Sequence, residues 1–150
     1  MTENRTKYDL RPATAADFSF LRDLHRSTLK PYVEIIWGWD ENLQEELLRE
    51  RFDPRQFSVI QLNGRDIGIL QVERRPGELF IGNILLLPVM QNRGLGSAVI
   101  GDLLKEAKIE KLAATLTVLK PNPAKHLYER LGFRVVSEDG VRYFMKFAGD

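Results

Sequence analysis

Hydrophobic and polar positions along this chain fall into short segments, and the spacing of the apolar side chains differs from one segment to the next. The opening segment "YDLRPA" predicts a short strand, and the segment after it spaces its apolar residues as on one face of a helix. Thr14, with Asp17 three residues later, is typical of the start of such a helix, and Pro31 predicts its end. Residues 32–39 then predict an aromatic loop, after which Asp40 is expected to cap a second helix.

The middle of the chain predicts three strands joined by tight turns. The segments "FSVIQL", "DIGILQVE" and "ELFIGNILLL" have the length and apolar content of strands. Asn63-Gly64 favours a hairpin between the first two, because both residue types tolerate positive φ angles. Pro76-Gly77 predicts the turn that leads into the third strand.

The last third alternates between helices and strands. Residues 94–111 predict a helix of about four turns, followed by the strand "ATLTVL". Asn122, as a cap, and Pro123, as the first helical residue, predict another helix that ends at Gly132. A hairpin that turns at Asp139-Gly140 closes the chain.

This order predicts an α+β fold whose mixed, mainly antiparallel central sheet has about seven strands and about four helices. One parallel crossover is expected around the helix over residues 94–111. A length of 150 residues suits a single domain, residues 1–150, with a sizeable core.

Composition and charge exclude several classes of function. The chain is 43% hydrophobic and 29% charged, as in ordinary globular proteins, and no apolar run is long enough to cross a membrane. A net charge of +1 gives no support to nucleic-acid binding. The absence of cysteine excludes disulfides, thiolate metal sites and a cysteine nucleophile, and it fits a cytoplasmic protein. The N-terminal segment is polar and resembles neither a signal nor a transit peptide.

The segment "QNRGLG", residues 91–96, places two glycines where a helix is expected to start. A helix N-terminus exposes unpaired N–H groups and the positive end of the helix dipole, so it attracts anions. Gly94 and Gly96 would let a diphosphate lie against these amides, and Arg93 adds a positive charge.

Two common phosphate-binding motifs fit this segment poorly. A P-loop requires Lys and then Ser or Thr after its last glycine, whereas Ser97 and Ala98 follow Gly96 here. A dinucleotide-binding motif requires a third glycine at the position of Val99 and an acid at the end of the next strand, which reads Leu119-Lys120. The sequence therefore argues against a dinucleotide-binding domain.

A third motif fits. The run from Gln91 to Gly96 resembles the pyrophosphate loop, Q/R-x-x-G-x-G/A, of the GNAT superfamily of acetyl-CoA-dependent N-acetyltransferases. The segments "LRPATAADF", "NILLLPVMQNRGLG" and "NPAKHLYERLGF" resemble GNAT segments in GNAT order, so the resemblance covers nearly the whole chain. It implies transfer of an acetyl group from acetyl-CoA, a co-substrate, to a primary amine of a small molecule or peptide. The amine would attack directly in a ternary complex, without a metal, in a monomer or homodimer.

The resemblance also implies where coenzyme A binds. The strand before the loop is expected to carry a β-bulge and to splay from the parallel strand "ATLTVL", which opens a slot for pantetheine. The side chains around Leu85 are expected to lie in the core, so only their backbone is assigned to the coenzyme. The expected coenzyme-binding residues are Ile84, Leu85, Leu86, Gln91, Asn92, Arg93, Gly94, Leu95, Gly96, Ser97, Asn122 and Lys125. For Asn122, capping of the helix is an equally good interpretation.

Tyr128 matches the tyrosine that many GNAT enzymes use as the general acid for the departing thiolate. A phenol with a pKa of about 10 can protonate a thiolate whose conjugate acid has a pKa of about 8.5 only with help from its surroundings. The alternative is a core tyrosine that packs with Leu127 and Leu131 on one helix face.

The general base is less clear from the sequence. Many family members carry a glutamate on one of the strands that flank the slot, but neither "LFIGNILLL" nor "ATLTVL" contains an acid. The predicted aromatic loop offers Glu34 and Asp40, which could attract a cationic amine and accept its proton through water. Glu73 on the preceding strand is a further candidate.

The same loop is predicted to form the acceptor site. Its aromatic rings would wall the site, and His25 and Asn83 would contribute from neighbouring elements. The expected acceptor-site residues are His25, Tyr32, Trp37, Trp39 and Asn83. Two alternatives stay open: a core aromatic cluster in which Asp40 serves only as a helix cap, and a coenzyme A-binding regulatory module without catalytic activity.

Overall fold

The computed structural model describes residues 7–148, which form one seven-stranded sheet with helices against it. The strands are β1 (Asp9–Pro12), β2 (Phe57–Leu62), β3 (Arg65–Arg75), β4 (Glu78–Leu86), β5 (Ala113–Leu119), β6 (Phe133–Glu138) and β7 (Arg142–Phe147). The helices are α1 (Phe18–Trp37), α2 (Glu41–Arg51), α3 (Leu95–Glu110) and α4 (Ala124–Arg130). Within the described range, no helix has the length and apolarity needed to cross a membrane.

The sheet order is β1-β2-β3-β4-β5-β7-β6, and β4–β5 is its parallel pair. The other neighbouring strands are antiparallel, so the predicted mixed, mainly antiparallel sheet is confirmed. Asn63 and Gly64 have φ angles of 52° and 79° at the β2–β3 turn, as the hairpin prediction requires.

Helix α1 continues through Pro31, so the predicted aromatic loop over residues 32–39 is wrong. The apolar spacing survives the proline, because Leu29 packs against the core and Val33, four residues later, is buried. This packing outweighs the backbone hydrogen bond that a proline removes. The helix ends instead at Gly38, whose φ of 79° takes the chain out of the helical region.

Apolar side chains cover both faces of the sheet. One buried cluster lies between the sheet and α3 and includes Leu95, Val99 and Leu103. The other lies against α1, where Leu21 and Leu24 pack with residues of β2, β3 and β4. The two clusters fix the positions of α1 and α3 on the sheet, and through them the ends of a cleft.

Candidate active site

A bulge in β4 begins the cleft. Gln71 of β3 pairs with Asn83, but the next residue, Val72, pairs with Ile81, so Gly82 is an extra residue in β4. A Cβ on Gly82 would lie 2.6 Å from the side-chain oxygen of Gln71, so a larger residue in the bulge would have to displace that side chain.

Beyond the bulge, β4 and β5 separate. Their pairing runs from Glu78 opposite Ala113 to Ile81 opposite Leu116, although both strands continue past these residues. The expected bulge and splayed parallel pair are therefore present, and they leave a slot beside the second half of β4.

The start of α3 closes one end of this slot. Gly94 has a φ of 83° and is the N-cap, so the helix begins one residue later than predicted, at Leu95. The helical ladder begins with Ala98, whose N–H donates to the Gly94 carbonyl oxygen at 3.0 Å. The amides of the three residues between them have no partner within the helix.

The two glycines of the loop have different reasons to be there. Gly94 needs its left-handed backbone, whereas Gly96 has no such φ angle, and a Cβ there would meet only Leu127, at 3.7 Å. Neither the backbone nor packing therefore requires glycine at 96, but its lack of a side chain leaves the first turn of α3 open. Gln91 is tied back to the sheet, because its side-chain amide donates to the Leu86 carbonyl oxygen at 3.1 Å.

The slot belongs to a cleft of about 1500 Å³ that runs from α3 across the sheet to α1. Most of the sequence-predicted site residues line it: His25, Tyr32, Trp37, Asn83, Ile84, Leu85, Leu86, Gln91, Asn92, Gly94, Gly96, Ser97, Asn122 and Tyr128. The cleft is not lined by Glu34, Trp39, Asp40, Arg93, Leu95 or Lys125.

Tyr128 lies where the cleft meets the core. Its ring packs edge-on against Phe133, with ring centres 6.2 Å apart, and burial raises the pKa of its hydroxyl to about 12. That hydroxyl makes no hydrogen bond to any residue in the range 7–148, yet no fully buried polar side-chain atom in that range lacks a partner. The oxygen is therefore open to the cleft.

Two other residues predicted to contact the coenzyme, Asn122 and Lys125, form hydrogen bonds or ion pairs with nearby residues of the chain. The Asn122 side-chain oxygen accepts from the Ala124 N–H at 2.9 Å, just ahead of α4, whose N-cap is Pro123 and which begins one residue after the predicted start at Pro123. Lys125 forms a 2.8 Å ion pair with Glu129.

The acids of the aromatic segment do not face the cleft. Because α1 extends to Trp37, Glu34 lies on a solvent-exposed helix face. Asp40 caps α2, accepting from the Leu43 N–H at 3.0 Å. Trp39 donates its indole N–H to Glu41 at 2.8 Å. Glu34 and Asp40 therefore lie outside the lining of the cleft.

Polar side chains of β3 occupy this region instead. Gln71, Glu73 and Arg75 line the cleft, two residues apart, as side chains on one strand face must be. The Asn83 side chain donates to Gln71 at 2.8 Å, and Arg75 pairs with Glu73 at 3.1 Å. The alternating polar positions of "LQVERR" were the available signal for this face.

His25 and Arg142 complete the α1 end of the cleft. The His25 ring lies 5.9 Å from the Trp39 ring, and burial, with the nearby Arg51 charge, lowers the pKa of its imidazole. Arg142, at the start of β7, lies over the Trp37 ring at 5.5 Å. No local pattern in the sequence marks Arg142, because only the order of the sheet brings β7 beside β5.

Comparisons with known proteins agree with this geometry. The sequence matches the acetyltransferase (GNAT) domain family over residues 53–135, more than half of the chain. The chain therefore belongs to the GNAT acetyltransferase family, as the resemblance indicated. No curated protein matches it significantly.

Solved structures share the fold along nearly their whole length. The PaiA N-acetyltransferase of Thermoplasma acidophilum, in complex with coenzyme A, is 18% identical with a TM-score of 0.75, covering 94% of this chain and 98% of that one. An acetyltransferase of Thermus thermophilus is 21% identical with a TM-score of 0.71, covering 97% and 98%. Ard1 of Thermoplasma volcanium is 19% identical with a TM-score of 0.66, covering 93% and 95%. At these identities the likeness is one of fold.

Proposed function

We propose that this protein transfers an acetyl group from acetyl-CoA to a primary amine by direct attack in a ternary complex. The observation that carries the proposal is the slot between β4 and β5, with the open first turn of α3 at one end and the Tyr128 hydroxyl facing the same cleft. Membership of the GNAT family supports it.

The residues at the α3 end fit coenzyme A. The free amides at Leu95, Gly96 and Ser97 suit a pyrophosphate, and neither glycine of the loop has a side chain to obstruct it. The unpaired second half of β4 offers backbone groups at Ile84 and Leu85 to a pantetheine chain. When bound, acetyl-CoA supplies an activated thioester.

Tyr128 is proposed as the general acid. Its raised pKa of about 12 keeps the hydroxyl protonated across the physiological pH range, but it also makes Tyr128 a weaker acid than a free phenol. The developing charge on the leaving sulfur would draw that proton out of an apolar site, where the tyrosinate form is otherwise disfavoured.

Glu73 is proposed as the general base. Among residues 7–148, it is the one carboxylate that lines the cleft, and Arg75 holds it at 3.1 Å. An amine with a pKa of about 10 is almost wholly protonated at neutral pH, so a group must remove a proton before attack. Glu73 would do so directly or through a water molecule.

Thiol release from acetyl-CoA, measured with and without a panel of primary amines, tests the proposal. Amine-dependent release with an equal amount of N-acetylated product is the expected result. Tight binding of coenzyme A without turnover of any amine would favour the regulatory module instead. Failure to bind coenzyme A would contradict both interpretations.

A further inference from the structure

We propose that the amine acceptor also carries an anionic group, such as a carboxylate, which Arg142 binds at the α1 end of the cleft. The inference rests on the proposed acetyltransferase function and narrows its substrate class. It follows from the charges that line the cleft and from the state of the Arg142 side chain.

The charged side chains of the cleft are mostly cationic. Within residues 7–148, its lining contains four arginines, Arg51, Arg75, Arg130 and Arg142, against the single carboxylate of Glu73. His25 adds no charge at neutral pH, because its pKa is lowered. Because Glu73 is paired with Arg75, the lining has a surplus of positive charge before coenzyme A binds, and this charge attracts a molecule with an anionic group.

Arg142 differs from Arg75 in making no ion pair within contact distance among the described residues, although backbone hydrogen bonds and, to a smaller extent, the Arg142 charge lower the pKa of nearby Asp139. Arg75 pairs with Glu73 at 3.1 Å and with Glu78 at 3.7 Å. Arg142 forms no ion pair with any carboxylate in the described part of the chain, and its recorded side-chain contact is the face of Trp37. Stacking on an indole uses the face of a guanidinium and leaves the N–H groups at its edge free for an anion.

The backbone of Arg142 is fixed at the start of β7. Its backbone N–H donates to the Asp139 carboxylate at 2.7 Å, and it pairs with Leu119 at the end of β5. Leu119 itself lines the cleft. The contact with Trp37 places the guanidinium between α1 and the end of β5, where it can form a bidentate contact with a carboxylate.

Glu73 and Arg142 together give the cleft two charges of opposite sign. The two charges lie apart, because β4 and β5 separate their strands and Glu73 is level with Lys146, four residues from Arg142. An acceptor would meet Arg142 through its anion while its amine lies nearer the slot, where water can relay its proton to Glu73. An amino acid or a peptide with a free C-terminus has both groups, and so does an amine that carries a phosphate.

Matched sets of amines test the inference. Each set holds an amino acid, its amide and its decarboxylated amine, for example phenylalanine, phenylalaninamide and phenethylamine, with alanine and glutamate sets beside it. Phosphoethanolamine against ethanolamine distinguishes a phosphate from a carboxylate. We expect the anionic member of at least one set to have a kcat/KM roughly tenfold to a hundredfold higher than its neutral partners, the range of charge-assisted hydrogen bonds.

The Arg142→Gln variant should abolish this preference by raising the KM of the anionic acceptor while leaving the KM of acetyl-CoA unchanged. Arg142→Lys should restore it in part, because it keeps the charge but not the fork of N–H donors. Arg134→Gln is the matched control, since it removes the same charge from an exposed position on β6 outside the cleft.

A binding measurement keeps the test independent of turnover. Calorimetry of each acid and amide with protein saturated by coenzyme A should show the acid binding more tightly, and Arg142→Gln should remove the difference. Turnover that favours neutral amines, or equal binding of acid and amide, would overturn the inference and leave the acetyltransferase function standing. Absence of turnover with every amine would instead count against that function, and calorimetry would still decide the role of Arg142.

Discussion

The two ends of the cleft are made of different parts of the protein. At the α3 end, the site consists of backbone: amides of a helix start, two glycines and a strand that has left its partner. At the α1 end, it consists of side chains from α1, β3 and β7, among them Trp37, Glu73 and Arg142.

This difference separates what the fold supplies from what the individual sequence supplies. A helix start and a splayed strand pair offer the same amides whatever side chains surround them, so they suit a ligand shared by a whole family. Side chains at the other end can change without disturbing the sheet, and they decide which acceptor is held. Substitutions at the two ends should therefore affect different kinetic parameters.

The largest effect is expected at the α3 end. Gly96→Glu would place a negative charge against the proposed pyrophosphate and should weaken coenzyme A binding by roughly a hundredfold or more, because juxtaposed like charges cost several kcal/mol. The helix should survive, since an acid in a first turn favours the dipole and the nearest neighbour of the new Cβ lies at 3.7 Å.

Calorimetry with coenzyme A measures this effect. Gly101→Glu is the matched control, because it adds the same side chain to the middle of α3, where a Cβ meets nothing within 4 Å. Unchanged affinity in Gly96→Glu would show that the pyrophosphate lies elsewhere, and equal losses in both variants would point to general damage to the helix.

The next largest effect is expected where the two ends meet. Tyr128→Phe removes the hydroxyl and keeps the ring against Phe133, so kcat should fall by about a hundredfold or more with little change in coenzyme affinity. Tyr143→Phe is the control, because Tyr143 lies outside the lining of the cleft. A kcat equal to that of the unmodified protein would make Tyr128 a packing residue.

A smaller effect is expected at the α1 end. Glu73→Gln should lower kcat/KM roughly tenfold in steady-state kinetics, a smaller loss than for a base that takes the proton directly, because a water can relay the proton. Glu34→Gln and Asp40→Asn, which change acids outside the cleft, serve as controls. If kcat/KM of either control variant falls as far as that of Glu73→Gln, the general base is Glu34 or Asp40 rather than Glu73.

The sequence predicts the α3 end of the cleft better than the α1 end, because the first is made of backbone and the second of side chains from distant segments. The α3 end depends on local rules, such as a strand, a turn and glycines at a helix start, and these can be recognised within a dozen residues. The α1 end depends on which strands lie side by side, so Arg142 enters the cleft only because β7 follows β5 in the sheet. Pro31 predicts a helix end that does not occur. The cost of a proline inside a helix is outweighed by the packing of Val33, which only the tertiary structure shows.

The smallest expected effect concerns His25, which tests whether the α1 end is neutral at this position. Burial, with the nearby Arg51, lowers the pKa of His25 from 6.5, so the folded protein binds this proton less readily than the unfolded chain does. The contribution of His25 to the free energy of unfolding should therefore be complete above its unfolded pKa of 6.5 and should be lost as the pH falls below that value towards the lowered pKa of the folded state.

Urea unfolding at several pH values measures this dependence, and His25→Gln should reduce its slope. His126→Gln is the matched control, because His126 is exposed on α4. The paired carboxylate of Asp17 contributes in a separate, more acidic window, since Arg11 lowers its pKa from 3.8. If both histidine variants keep the slope of the unmodified protein, His25 is solvated, and its protonation would add to the positive charge that the arginines already give this end of the cleft.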